Sequence, residues 1–322
     1  MHATCLRLIR SAVKARFALL SCVCVIAALP QSTSAASVRT TNFVVHGPDP
    51  GVVRQVAEKA ERLRHVIALA WLGKPLPNWS SPCPIQLKIT GGEAGGVTSF
   101  SFDKGCVTDQ DMTLEGSPER ILNSALPHEI THTVFAWHFG QPMPRWADEG
   151  ACMLSEDLKE LARQDVIVAG LVRKGGHMPL GTLFAMEEYP KDLLGFYGQG
   201  YSVSRFLIEI GGRKLFLKFV AEGARDGWDH ATRKHYNFAD TKELDRAWRS
   251  WYGVVASRRQ PGEAHHEATL VAFRPEAERN DSRTVVNREI IRRQSPSDSS
   301  ASPAAQPRAA APRLAPRERS LR

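Results

Sequence analysis

The segment LPHEITHTVFAWHFGQPMPRWADEGA, residues 126–151, constrains this chain more than any other. His128 and His132 are four positions apart, so on an α-helix they stack on one face and present two imidazoles to a single ion. Glu129 lies one position round the helix and can hold a water at that ion without ligating it. A chain of this composition would show HExxH by chance roughly 0.02 times, so chance is a poor account of the spacing. Whatever this chain folds into must place a helix here and bring a further donor to its face.

Zinc in hydrolytic sites takes three protein ligands and leaves the fourth position for water. Glu149 follows His132 by 17 residues, on the next expected helix. Gly140, Pro142 and Pro144 form a turn between them that lets this helix fold back. Two neutral imidazoles and one carboxylate leave such a site at +1, enough to bring the pKa of a bound water towards neutrality. Asp148 would point about 100° away on the helix, behind a ligand or on the surface. His138 falls off the ligand face and reads as structural.

HEITH followed by PRWADEGA resembles the gluzincin metallopeptidases, more narrowly the bacterial peptidase MA-like group, in which HExxH is followed at short distance by Trp-x-x-Glu-Gly. The later FYGQGYSVSRFLIEIGG resembles that group's tyrosine-containing helix ending in glycine. Together these cover about residues 84–253. The resemblance implies a zincin-like α+β fold: a short β-sheet with an active-site helix, followed by a mainly helical C-terminal subdomain. It also implies zinc held by His128, His132 and Glu149, with Glu129 as general base. The tyrosine of the group's pattern matches Tyr197 better than Tyr201, and that phenol would stabilise the oxyanion; core packing is the alternative for each. No Gly-x-Met-x-Asn segment of the related aminopeptidases is found, so a reader of N-terminal amines is not supported. The expected activity is hydrolysis of a peptide or protein by a Glu-activated water at the zinc. The rivals are a non-catalytic metal-binding or peptide-binding protein on the same fold, and a metal-dependent hydrolase acting on other bonds.

The elements around this segment follow from periodicity. A short strand is expected around Phe43-Val44-Val45. Asp49 and Pro50 then make a helix start, an N-cap acceptor before a proline already at helical φ. Val53, Val56, Ala57, Ala60, Leu63, Ile67 and Ala70 recur at threes and fours until Gly73; His65 on that helix reads as a surface residue. From Pro84 to Leu114, segments divided by Gly91-Gly92, Gly95-Gly96 and Lys104-Gly105 read as three strands. The last, Cys106–Leu114, is the expected substrate-side edge, where an extended peptide could pair. Ser117-Pro118 starts the helix carrying HEITH, bent or restarted at Pro127. Helices are expected from Trp146 towards Arg173, with or without a break, over Tyr197 to Ile210, over Lys214 to Glu222, and after Asp240 with Glu243. Trp146 reads as core, with a cleft wall as the alternative.

The ends differ from the middle. Four basic residues precede an apolar run from Phe17 to Leu29, and small residues follow at Ser34-Ala35-Ala36. That is the order of a secretory signal peptide over residues 1–36, and the run is too short to span a bilayer. Export, to the periplasm or the cell exterior, is expected, with no membrane span in the mature chain. Residues 295–322 hold seven Ala, six Ser, five Pro and five Arg, a composition that cannot bury enough apolar surface to order; residues 255–322 read as a linker and tail. Of the net charge of +8, residues 1–36 carry +4 and residues 255–322 carry +5, leaving −1 for 37–254. The expected folded domain is thus nearly neutral and offers no case for a nucleic-acid partner. Oligomeric state has no signature in these residues. Cys83, Cys106 and Cys152 remain after the signal. Cys83 and Cys106 are either bridged or free, since geometry decides a disulfide; Cys152 reads as a small core residue.

Overall fold

The computed structural model describes residues 35–258. All but the last two residues of the expected signal, and the expected tail, lie outside the described residues. The architecture is mixed α/β, a small five-stranded sheet followed by helices, compatible with the α+β class.

The sheet begins with β1 (Ala36–Arg39), not anticipated, and β2 (Phe43–Gly47). Helix α1 (Pro50–Leu72) starts as its cap demands: Asp49 Oδ1 accepts from the amides of Gly51 and Val52 at 2.8 and 3.0 Å, and Gly73 ends it at φ 72°. Its buried face carries Val53, Val56, Ala57, Ala60, Ile67, Ala68 and Trp71. Strands β3 (Cys83–Ile89), β4 (Gly95–Asp103) and β5 (Cys106–Gly116) complete a sheet of order β1-β2-β3-β5-β4. The central three are parallel, while β1 and β4 are antiparallel edges. Alternation along β3 buries Cys83, Ile85 and Leu87 on one face and exposes Gln86 and Lys88 on the other, as in a sheet covered on one side only.

One expectation about the sheet is corrected, and one open alternative, the state of Cys83 and Cys106, is decided. Lys104 and Gly105 have φ of 49° and 79°, a pair of positive values that closes a tight hairpin. The hairpin folds β5 back into the sheet, where its buried Val107, Met112 and Leu114 belong. The free edge is therefore β4 rather than Cys106–Leu114. The three described cysteines are free. The register pairs Ile85 with Met112, which sets Cys83 opposite Gln110, four residues or about 13 Å from Cys106 at strand rise. A disulfide needs Cα atoms within about 7 Å.

Behind β5, Ser117 caps the short α2 (Pro118–Arg120), a π-helical turn spans Ile121–Ala125, and α3 (Leu126–Phe139) restarts next to Pro127. Helix α3 packs against α1, with Trp71 and Phe135 edge to face at 4.8 Å. The expected helix from Trp146 is two: α4 (Arg145–Cys152) and α5 (Leu158–Lys174), the second capped by Asp157. Then follow α6 (Leu180–Phe184), α7 (Leu193–Gly211), α8 (Arg213–Asp226), α9 (Trp228–Ala231) and α10 (Thr241–Arg258). Trp146 is fully buried, stacked on Phe184 at 4.3 Å and surrounded by Phe216, Phe219 and Trp228, so it is core. Among the described residues no helix is long and apolar enough to cross a membrane.

Helices α4 and α7 touch backbone to backbone. A Cβ on Gly150 would sit 2.3 Å from the Gly200 carbonyl, and one on Gly200 would sit 2.7 Å from the Trp146 oxygen. Only two glycines allow this approach. Gly150→Ala is expected to lower the unfolding free energy by about 3 kcal/mol, the upper end of overpacking costs, in urea titrations. An unchanged midpoint would show that the two helices separate freely.

Candidate metal centre

Helix α3 carries His128, Glu129 and His132, and α4 carries Asp148, Glu149 and Cys152. The two imidazoles meet edge to face at 4.9 Å. Glu149 Oε2 stands 3.4 Å from His128 Nε2 and 3.7 Å from His132 Nε2. Ligand atoms about 2.0–2.2 Å from a tetrahedral zinc are about 3.4 Å apart, so these separations are of the right size.

The other nitrogen of each ring is already engaged. His132 Nδ1 lies 2.8 Å from Asp148 Oδ1, and His128 Nδ1 lies 2.8 Å from Glu156 Oε1. A carboxylate only accepts, so each Nδ1 carries a proton and each ring is oriented with Nε2 towards Glu149. This is the carboxylate–histidine arrangement that fixes the tautomer of metal ligands. Asp148 thus stands behind His132 rather than on the open surface. Glu156 went unrecognised in the sequence. It lies 28 residues from His128, in the break between α4 and α5, where no helical phase links it to the histidines.

Cys152 adds a second donor set. One atom each of His128, His132 and Cys152 lie within 4.8 Å of one another, and this buried group can hold a metal ion. Its Sγ is 3.3 Å from His132 Nδ1, on the side that Asp148 occupies. Burial, then Asp148, Glu149, Glu129 and Glu156, push its thiol pKa well above the ordinary value, and a protonated thiol is a weak ligand. The first set is built on both Nε2 atoms and Glu149, whose carboxylate is already ionised.

Burial opposes charge on the imidazoles, but their carboxylates overcome it. His128 is raised well above the usual value by Glu149, Glu156 and Glu129. His132 is raised to about 9, chiefly by Asp148. Burial also works against Glu149, yet His128, His132 and the Tyr189 hydroxyl draw it down to about 2. Four carboxylates, those of Glu129, Asp148, Glu149 and Glu156, face two imidazoles. Ligation through Nε2 requires both rings to be neutral, and the four carboxylates then leave an excess of negative charge in a largely buried site, part of which a divalent cation would offset.

Glu129 is buried beside the edge strand, where the Thr98 hydroxyl donates to its Oε2 at 2.7 Å. Gly96 makes room for it, since a Cβ there would meet Glu129 Cγ at 2.5 Å. Tyr197, one turn into α7, is half-buried, with its pKa raised by burial and by Glu149. Tyr201 is buried with Met153 and Leu161 and is core. Tyr189 is a second residue that sequence reasoning missed. Its hydroxyl donates to Glu149 Oε1 at 2.7 Å, its ring lies under the Arg145 guanidinium at 4.2 Å, and it meets Tyr197 edge to face. It sits in a loop between α6 and α7 with no periodic signal. His138 packs on Phe139 away from the site. No known protein-family model matches this chain, and comparison with curated proteins finds no match.

Two outcomes follow from this geometry. His132 has a folded pKa of about 9 against about 6.5 unfolded, so its stabilisation is complete below pH ~6.5 and is lost as pH rises through 9. The metal-free protein should therefore melt at a lower temperature at pH 9.5 than at pH 6; equal melting temperatures would refute the coupling. Asp148→Asn and Glu156→Gln should each weaken metal binding by about 10–100-fold, read by competition with a fluorescent chelator.

Proposed function

We propose that the chain is an exported zinc-dependent peptidase with a zincin-like fold. The observation that carries this reading is the convergence of His128 Nε2, His132 Nε2 and Glu149 Oε2, with each Nδ1 held by its own carboxylate. His128, His132 and Glu149 would hold the ion, and the surplus of carboxylates around them suits a dication. Bound there, zinc would supply a Lewis acid that polarises the scissile carbonyl and lowers the pKa of a water.

The chain's own residues would do the rest. A peptide lying along the free edge of β4 brings its carbonyl beside Glu129. Held by Thr98, the Glu129 carboxylate accepts a proton from the attacking water and delivers it to the leaving amine nitrogen. Attack places negative charge on the carbonyl oxygen, and Tyr197 donates a hydrogen bond to it; one such donor is typically worth about 3–4 kcal/mol. Tyr189, occupied with Glu149 Oε1, leaves Oε2 as the ligating oxygen.

The test is metal content together with cleavage of a peptide library by residues 37–322, with and without chelator. About one zinc per chain and chelator-sensitive cleavage are expected. Glu129→Gln should keep the metal and lose hydrolysis, Glu149→Ala should lose the metal, and Tyr197→Phe should lower turnover by roughly a hundredfold. Wild-type turnover in Glu129→Gln would refute the base. A metal-loaded chain that leaves the library uncut would be a non-catalytic binding protein instead.

A further inference from the structure

A cavity of about 200 Å³ opens beside His132. Its walls are Phe100 and Phe102 of β4, Phe135 and Ala136 of α3, and Pro142 and Met143 of the turn before α4. The placement follows from two periodicities. Thr98, Phe100 and Phe102 share the less exposed side of β4, so the stripe that meets Glu129 continues into the pocket. On α3, Phe135 and Ala136 lie three and four residues after His132, on the same face. The metal ligands and the apolar wall are thus consecutive stretches of one cleft. Phe100 and Phe102 are about 7 and 13 Å beyond Thr98 at strand rise.

The lining is apolar except for the exposed, uncharged Gln141 and where His132 and Asp148 reach the cavity, and those two are hydrogen-bonded to each other. No free charge therefore awaits a charged side chain. Apolar cavities of about 150 Å³ take up benzene, so this one has room for a benzyl or branched aliphatic group. We propose that this pocket selects the substrate: it receives a large apolar side chain of a peptide lying along β4, within a few residues of the bond cut. The proposal rests on the peptidase reading. It adds to that reading a substrate class, peptides with an aromatic or large aliphatic residue at one fixed position.

The experiment uses the zinc-loaded chain with a peptide library read for residue preference at each position. Two variants accompany it: Ala136→Leu, which fills the pocket, and Phe102→Ser, on the edge strand, which removes a wall and keeps the test open if the first does not fold. Phe, Leu or Met is expected to be preferred over Ala by about tenfold or more in kcat/KM at one position. Ala136→Leu should shift that preference towards small residues, and Phe102→Ser should weaken it several-fold. Cleavage without an apolar preference, or a preference that both variants leave intact, would overturn the proposal while the peptidase reading stands. If no peptide is cut, the peptidase reading falls and binding decides the pocket. Acetyl-Gly-Phe-Gly-amide should then shift the Met143 methyl resonance at about tenfold lower concentration than acetyl-Gly-Ala-Gly-amide; equal responses would overturn it.

Discussion

The contact on which this structure turns is the crossing of α4 over α7 at Gly150 and Gly200. Each glycine stands where a side chain would strike the other helix's backbone, so the two helices approach at a distance set by bare main chain. Three consequences come from that one approach. Trp146, a turn before Gly150, is driven into the aromatic core with Phe184, Phe216 and Phe219. Glu149, the residue before Gly150, is held at the histidine face of α3. Tyr197, nearly one turn before Gly200 on α7, is brought near Glu149 and against Tyr189. A contact with no functional group of its own thereby sets the position of several that have one.

Charge imposes the second constraint. Two imidazoles and four carboxylates share a largely buried space, an arrangement that is expensive unless each charge finds a partner. Asp148 and Glu156 each take one Nδ1, and Glu149 faces both Nε2 atoms. Glu129 is set apart from them by the Thr98 hydroxyl. The two nitrogens of each ring therefore have different partners, Nδ1 a carboxylate of its own and Nε2 the shared Glu149. The break between α4 and α5 belongs to this constraint, because Glu156 reaches His128 only from the non-helical residues before Asp157.

The edge strand supplies the third. A hairpin through Lys104 and Gly105 puts the longer, more buried strand inside the sheet and leaves β4 outside, against the start of α3. Gly96 then admits Glu129, and Phe100 and Phe102 line the cavity further along. Glu129 and the pocket are ordered along one strand, so a peptide lying along β4 would meet both.

The histidine spacing, the cap of α1, the glycine stops and the division of strands before helices were legible in the residues, because each depends on neighbours within about four positions, where helix and strand periods act. The same local rule placed Asp148 and Glu149 on different faces of the next helix; that Glu149 would face the histidines was an expectation from the turn at Gly140, Pro142 and Pro144 and from the resemblance, not from local period. What lay beyond that range was not legible. Glu156 and Tyr189 reach the site from non-helical segments 28 and 40 residues from the groups they bind, and no period connects them. The edge strand was misassigned because strand order is decided by which strand buries more apolar surface, not by position in the chain. The cysteines failed to pair because register, a property of two strands together, set them about four residues apart. Residue spacing determined which groups could act together; only the packing of α4 on α7 and the closing of the hairpin decided which of them meet.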